Sequence, residues 1–322
     1  MSASTDPWQG RTDGEGAEHA RWHQRVRTAP PAPGAEHVGL LGFRSDEGVR
    51  RNRGRVGAAE GPAALRRALA PMALHGPLAT GEVALVDLGD AVTEGEDLEG
   101  GQDAATSLTT TALDAPGSRL TVVLGGGHET AWPNYRALMA SRHAGSRWGV
   151  LNLDAHFDLR EEPRPTSGTP FAQMAVAERA AGRALRYTVL GIAEPSNTGA
   201  LFARARELGV TWMTDEECLA ARAEGIRAAV EDFTADLDVL YLTIDLDLLP
   251  AAVAPGVSAP AAYGVPLPLV QAAVTAAAAS GKLALLDVVE LNPSLDADGR
   301  TARTAARLVT TAVHTALGVG RA

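Results

Sequence analysis

The sequence is short of several things, and each shortage excludes a class of protein. It holds one cysteine, Cys218, in 322 residues. An internal disulfide is therefore impossible, which fits a reducing compartment such as the cytoplasm. Cys218 lies in "TDEECLAA", which reads as the acidic first turn of a helix. A thiolate there would face like charges, so a catalytic cysteine is a poor reading. Aromatic residues are only 4% of the chain, so the core must be built from Ala, Leu and Val. No apolar run approaches the roughly 18 residues a membrane span needs. The N-terminus lacks the apolar stretch of a secretory signal. Basic residues are the minority, 29 against 39 acidic, for a net charge of −10. That argues against non-specific nucleic-acid binding, which needs a basic surface. Nucleotide and serine-hydrolase motifs are also missing. "LGGGHET" is Gly-rich, but it is neither a dinucleotide fingerprint nor a P-loop, and no G-x-S-x-G elbow occurs.

What is present is a regular alternation. Residues 1–35 are polar and rich in Gly and Pro, and read as a flexible N-terminal arm. The rest, 36–322, reads as a single domain. Strand-like apolar runs occur at 38–43, 83–89, 120–126, 148–154, 187–192, 237–245 and 282–291. Helical stretches separate them at 61–70, 104–113, 130–142, 170–182, 198–208, 215–232, 266–280 and 300–317. Several runs are apolar on both faces, as in parallel strands covered by helices on both sides. The expectation is an α/β fold with three layers, α/β/α, around a mostly parallel, doubly wound sheet. Ligands of such sheets bind beyond the carboxyl ends of the strands.

Polar chemistry collects at four of those ends. "TVVLGGGHE" ends near His128, "VLNLDAHFD" in Asp154, His156 and Asp158, "YLTIDLD" in Asp245 and Asp247, and "LLDVVELNP" in Asp287 and Glu290. In an extended segment alternate residues face one side, so Asp154, His156 and Asp158 should face one space. Taken singly, His128 reads as a turn histidine and the aspartates as helix caps or solvated strand ends. Together, two imidazoles and four carboxylates on one rim suit hard divalent ions. They are too many for one tetrahedral zinc, and two metals sharing carboxylates fit better. Two cations would also relieve the repulsion among the carboxylates. The other histidines, His19, His23, His37, His75, His143 and His314, have no such context.

"GGGHE", "NLDAHFD" and "TIDLDLLP", in this order, resemble the ureohydrolase superfamily of arginases, agmatinases and formimidoylglutamases. The resemblance runs from about Val38 to Gly318. It implies an arginase-like fold and two Mn²⁺ per subunit. One ion would take His128, Asp154, Asp158 and Asp245. The other would take His156, Asp154, Asp245 and Asp247. "GVRRNRGRVGAAEGPAALR" and "AVAPGVSAPAAYG" look like the formimidoylglutamase branch. Ser167 in "PTSGTPF" stands where arginases and agmatinases carry a histidine, which points the same way. The bland reading of that stretch is a polar turn.

The reaction so implied is hydrolysis of N-formimidoyl-L-glutamate to L-glutamate and formamide, a step of histidine degradation, by a hydroxide bridging the two ions. Asp158 would pass a proton to the leaving amine. Glu290 would hold the amidinium edge. Arg160, Arg53 and Arg55, with Asn52 and Ser167, are candidates for binding the carboxylates of the substrate. A homo-oligomer, trimer or hexamer, acting on a small molecule in the cytoplasm completes the expectation. The alternatives are an agmatinase- or guanidinobutyrase-type amidinohydrolase, and a silent binding protein of the same fold.

Overall fold

The computed structural model describes residues 6–29 and 31–319. Nine strands form one sheet among the described residues: β1 (Val26–Arg27), β2 (His37–Arg44), β3 (Ala84–Val92), β4 (Ser118–Leu124), β5 (Trp148–Leu153), β6 (Tyr187–Ile192), β7 (Thr211–Thr214), β8 (Val239–Asp245) and β9 (Leu283–Val289). Their order is β1-β3-β2-β4-β9-β8-β5-β6-β7, and every pairing is parallel. The chain jumps from β4 to β5 across a gap two strands wide. β8 and β9 later fill it. Four central neighbours, β4, β9, β8 and β5, thus end side by side.

The helices are α1 (Trp22–Arg25), α2 (Glu47–Arg51), α3 (Gly61–Leu69), α4 (Gly76–Thr80), α5 (Leu98–Asp114), α6 (Ala131–Ala140), α7 (Pro170–Ala180), α8 (Gly199–Glu207), α9 (Asp215–Thr234), α10 (Leu267–Ala279) and α11 (Arg300–Ala316). The pleat sorts the apolar side chains between two faces. Val122, Leu151, Leu153, Leu240, Leu242 and Ile244 pack on one side against α3, α4, α9, α10 and α11. Val123, Val150, Val239 and Tyr241 pack on the other against α5, α6, α7 and α8. The result is the expected three-layer α/β/α arrangement. All of β5 and β8 is buried, which is why these runs lack polar alternation. No helix among the described residues is long and apolar enough to cross a membrane.

The structure corrects the reading of the first 35 residues. Residues 1–5 and 30 lie outside the described residues. The segment between them is packed, not loose. Trp22 is fully buried and stacks on Trp8 at 6.4 Å. β1 adds a strand to β3, and the Trp22 amide donates to the Met72 carbonyl at 3.0 Å. Two indoles outweigh the polar composition around them. α5 also begins earlier than its periodicity suggests. The Asp97 carboxylate accepts from the Gly100 N–H at 3.0 Å and caps a helix start that the Gly pair obscures. The short elements β1, β7, α1, α2 and α4 have too few residues to show a period.

Candidate metal centre and the pocket above it

β4 ends at Leu124 and runs into Gly125, Gly126 and Gly127. A Cβ at Gly126 would lie 1.8 Å from the Ser45 carbonyl oxygen, so only glycine lets the two backbones pass. The Gly127 N–H donates to that same carbonyl at 2.9 Å. This crossing sets His128 at the sheet rim. β5 stops at Leu153, and Asp154 to Asp158 form a loop beyond it. β8 delivers Asp245, whose carboxylate accepts from the Asp247 N–H at 2.9 Å. β9 delivers Glu290.

The six residues meet in two groups that share Asp154. In the first, His128 Nδ1 stands 3.1 Å from Asp154 Oδ2, 3.0 Å from Asp158 Oδ2 and 3.0 Å from Asp245 Oδ2. In the second, His156 Nδ1 stands 3.6 Å from Asp154 Oδ1 and 3.0 Å from Asp247 Oδ2. Asp154 turns one oxygen to each. Its orientation is fixed by the Asn152 side-chain amide on Oδ2 (2.9 Å) and the His156 N–H on Oδ1 (2.7 Å). The His128 ring is aimed by Thr243, whose Oγ1 lies 3.1 Å from Nε2. A proton on Nε2, donated to Thr243, leaves the Nδ1 lone pair directed at the carboxylates.

The electrostatics of this cluster call for cations. Burial opposes the charged imidazolium of His128, yet the carboxylates of Asp154, Asp158 and Asp245 hold its pKa well above the ordinary value. His156 is raised likewise, against burial, by Asp247 and Asp154. Burial, then Asp154, raises Asp158. Burial, then Asp247 and Asp154, raises Asp245 further. Burial would raise Asp154 too, but the two imidazoles hold it below the usual carboxylate range. His128 Nδ1 and Asp247 Oδ1 are buried without a hydrogen-bond partner. Oxygen-rich groups with one imidazole each suit Mn²⁺ or a similar ion, and no thiolate is present to favour zinc.

A cavity of about 330 Å³ opens above this floor. Its walls carry all of the arginine, asparagine and serine candidates. Asn52, Arg53 and Arg55 come from the loop after α2, and Arg160 and Ser167 from the opposite side. The Asn52 amide donates to Ser167 Oγ at 3.2 Å. Arg55 is already engaged, donating to the carbonyls of Val257 and Ser258 at 2.8 Å. The guanidinium groups of Arg53 and Arg160 bond to no other described residue. Glu290 Oε1 accepts from the His128 N–H at 2.9 Å. Burial, then the neighbouring Glu129, pushes its carboxyl up to about 8. Arg53, Asp158 and Glu290 adopt left-handed backbone conformations, φ 63°, 47° and 68°. Such strain in side-chain-bearing residues gathers at functional sites.

One expectation fails. Asp287 does not reach the rim. It sits inside β9, paired with Thr243 and Val123, where it accepts from Asn134 at 2.7 Å and from Tyr241. It lies three residues short of Glu290, deep in the sheet. Sequence reasoning also missed Ser258 and Ala259, which line the pocket, and Thr243 behind His128. Ser258 lies in "AVAPGVSAPAAYG", whose resemblance to the formimidoylglutamase branch singled out no residue.

Comparison with known proteins agrees with this geometry. The arginase family profile matches residues 36–314. The formimidoylglutamase of Nocardia farcinica is 57% identical over 306 residues, 94% of each chain. Among solved structures, the formimidoylglutamase of Bacillus subtilis aligns over 98% of this chain and 95% of its own, at TM-score 0.82 and 22% identity, a likeness of fold. The formiminoglutamase of Trypanosoma cruzi, solved with Mn²⁺, aligns over 89% and 96%, at TM-score 0.77 and 28% identity.

Proposed function

The chain belongs to the arginase family of hydrolases, and from that premise we propose that it hydrolyses N-formimidoyl-L-glutamate to L-glutamate and formamide with two Mn²⁺ per subunit. The observation that carries this is a juxtaposition. Two ligand groups sharing Asp154 form the floor of a pocket, and two unengaged guanidiniums, Arg53 and Arg160, stand on its walls. The substrate matches it end for end, with an amidine at one end and two carboxylates at the other.

His128, Asp154, Asp158 and Asp245 would hold one ion, and Asp154, His156 and Asp247 the other. Bound divalent ions supply a water that is acidic enough to attack near neutral pH. The protein's own groups do the rest. Glu290, anchored by the His128 N–H, accepts the N–H edge of the formimidoyl group and aims its carbon at the floor. Asp158 receives the proton of the attacking water and passes it to the leaving nitrogen as the C–N bond breaks. Formamide leaves with the carbon, and glutamate keeps the amine. Arg53 and Arg160 pair with the two carboxylates, and a guanidinium is suited to bidentate pairing. Asn52 and Ser167 add hydrogen bonds. Arg55 braces the loop through Val257 and Ser258. The same reading carries a cytoplasmic homo-oligomer working in histidine degradation.

The test is a side-by-side assay of formimidoylglutamate, arginine, agmatine and guanidinobutyrate with added Mn²⁺. Formamide release from the first, lost on chelation and regained with Mn²⁺, is expected. Urea release from any of the others, without formamide from the first, overturns the substrate.

A further inference from the structure

The segment from α2 through Asn52 and Arg53 is held at several points, the Arg55 brace on Val257 and Ser258 among them. At the end of α2, Arg51 donates to Glu47 at 2.8 Å and to Glu99 at 2.7 Å. At the start of α2, the attachment is one buried carboxylate. Glu129 is 1% exposed. Its Oε1 accepts from the Gly48 N–H at 2.9 Å, in the first turn of α2, and from Ser45 Oγ at 2.8 Å. The fit is close. A Cβ at Gly48 would lie 2.5 Å from Glu129 Cδ, and one at Gly127 would lie 2.2 Å from Oε2. Glu129 is the residue after His128, on the same turn, and its own carbonyl accepts from the Gln102 side chain of α5 at 3.1 Å.

We propose that Glu129 is a positioning residue, which holds the substrate-binding loop at a fixed height above the metal floor. One short turn then presents His128 downward to the metal groups and Glu129 sideways to the loop. Any shift of that turn moves both. Arg51 and Arg55 tether the later part of the segment, and Glu129 is what ties the first turn of α2 to the turn that carries His128. Glu129 touches neither substrate nor reacting atoms, so it reaches catalysis through its neighbours: Asn52 and Arg53 by position, and Glu290 by charge. The inference rests on the proposed function only in taking these loop residues as the carboxylate-binding groups.

Two conservative variants separate position from charge. Glu129→Gln keeps an oxygen at the same reach and loses the charge. Glu129→Asp keeps the charge and withdraws it by one methylene. In the Mn²⁺-loaded protein, Glu129→Gln should keep the wild-type KM and loop exchange. Glu129→Asp should raise KM for formimidoylglutamate about tenfold, the scale of a lost buried hydrogen bond to a charged group, with kcat and metal content nearly unchanged. Backbone hydrogen exchange over residues 46–57 should quicken in Glu129→Asp alone, with β5 protected in both. The opposite ranking, with Glu129→Gln impaired and Glu129→Asp normal, would assign an electrostatic role and overturn the proposal. A lowered melting temperature with loop exchange and KM unmoved would also overturn it. If the wild type does not act on formimidoylglutamate, the functional reading fails, and the exchange measurement still decides the role of Glu129.

Discussion

Asp154 is the residue on which the site turns, because its two oxygens serve different groups. The alternation in "LNLDAHFD" correctly pointed Asp154, His156 and Asp158 into one space, although the strand stops at Leu153 and the three sit on a loop. What alternation could not tell is that His156 and Asp158 join different groups. That partition depends on where β4 and β8 deliver their ligands, which is a matter of strand order. Asp287 shows the opposite failure. Local spacing placed it with Glu290, but the register of β9 puts its side chain three residues inside the sheet, where Asn134 and Tyr241 satisfy it. The sharing of Asp154 makes an ordered prediction. Asp247→Ala should remove one ion and leave the first group able to hold its own. Asp154→Asn should weaken both. Loss of groups that merely orient metal ligands costs about 10–100-fold in affinity or activity, so Asp154→Asn should cost more than about 100-fold in rate. Metal content per subunit after dialysis checks the order, and equal content in the two variants would refute the sharing.

Elements that sit far from the site carry their own chemistry. α4 begins beside His75, and α11 presents His314 to it, with ring centroids 5.5 Å apart. The His75 N–H donates to His314 Nε2 at 3.3 Å, which requires that nitrogen to be unprotonated. Burial, then the charge of His75, pushes the His314 pKa down to about 4. The sign follows directly. The unfolded chain takes up a proton near the ordinary histidine value, about 6.5, and the folded chain resists it until about 4. Between those values the unfolded state binds more protons, so stability falls as pH falls. His314→Gln keeps an acceptor for His75 without the titration. Its thermal midpoint should therefore fall a few degrees less than that of the wild type between pH 7 and pH 4, by calorimetry at matched ionic strength. Identical slopes would remove His314 from the acid response. This contact was not legible in advance. α4 is a five-residue helix, too short for a period, and an isolated histidine in a helix does not name its neighbour.

At the scale of the whole molecule, seven of the nine strands and eight helices were readable from apolar runs, because a parallel sheet covered on both faces must bury nearly every side chain. The edge of the sheet was not readable. Compositional reasoning assigned residues 1–35 to an arm, since the stretch is polar and relatively rich in Gly and Pro, but Trp8, Ala20 and Trp22 contribute to the same apolar layer as α3, α4 and α11. Trp8 also donates from its indole to Asp87 Oδ2 at 2.8 Å, the carboxylate that Arg66 grips from α3 with two bonds of 2.8 Å. The N-terminal segment therefore closes one edge of the sheet and ties strand β3 to helix α3. Replacing a buried tryptophan by alanine typically costs about 3–5 kcal/mol, against a total stability of about 5–15 kcal/mol for a folded domain. Trp22→Ala should lower the urea midpoint accordingly, and deletion of residues 1–29 should lower it at least as far. Metal content should survive both changes under folding conditions, because β1 lies at the sheet edge, with β3 and β2 between it and β4. An unchanged midpoint on deletion would return these residues to the status of a loose arm. A lower midpoint with metal retained would show that the edge stabilises the fold without shaping the site.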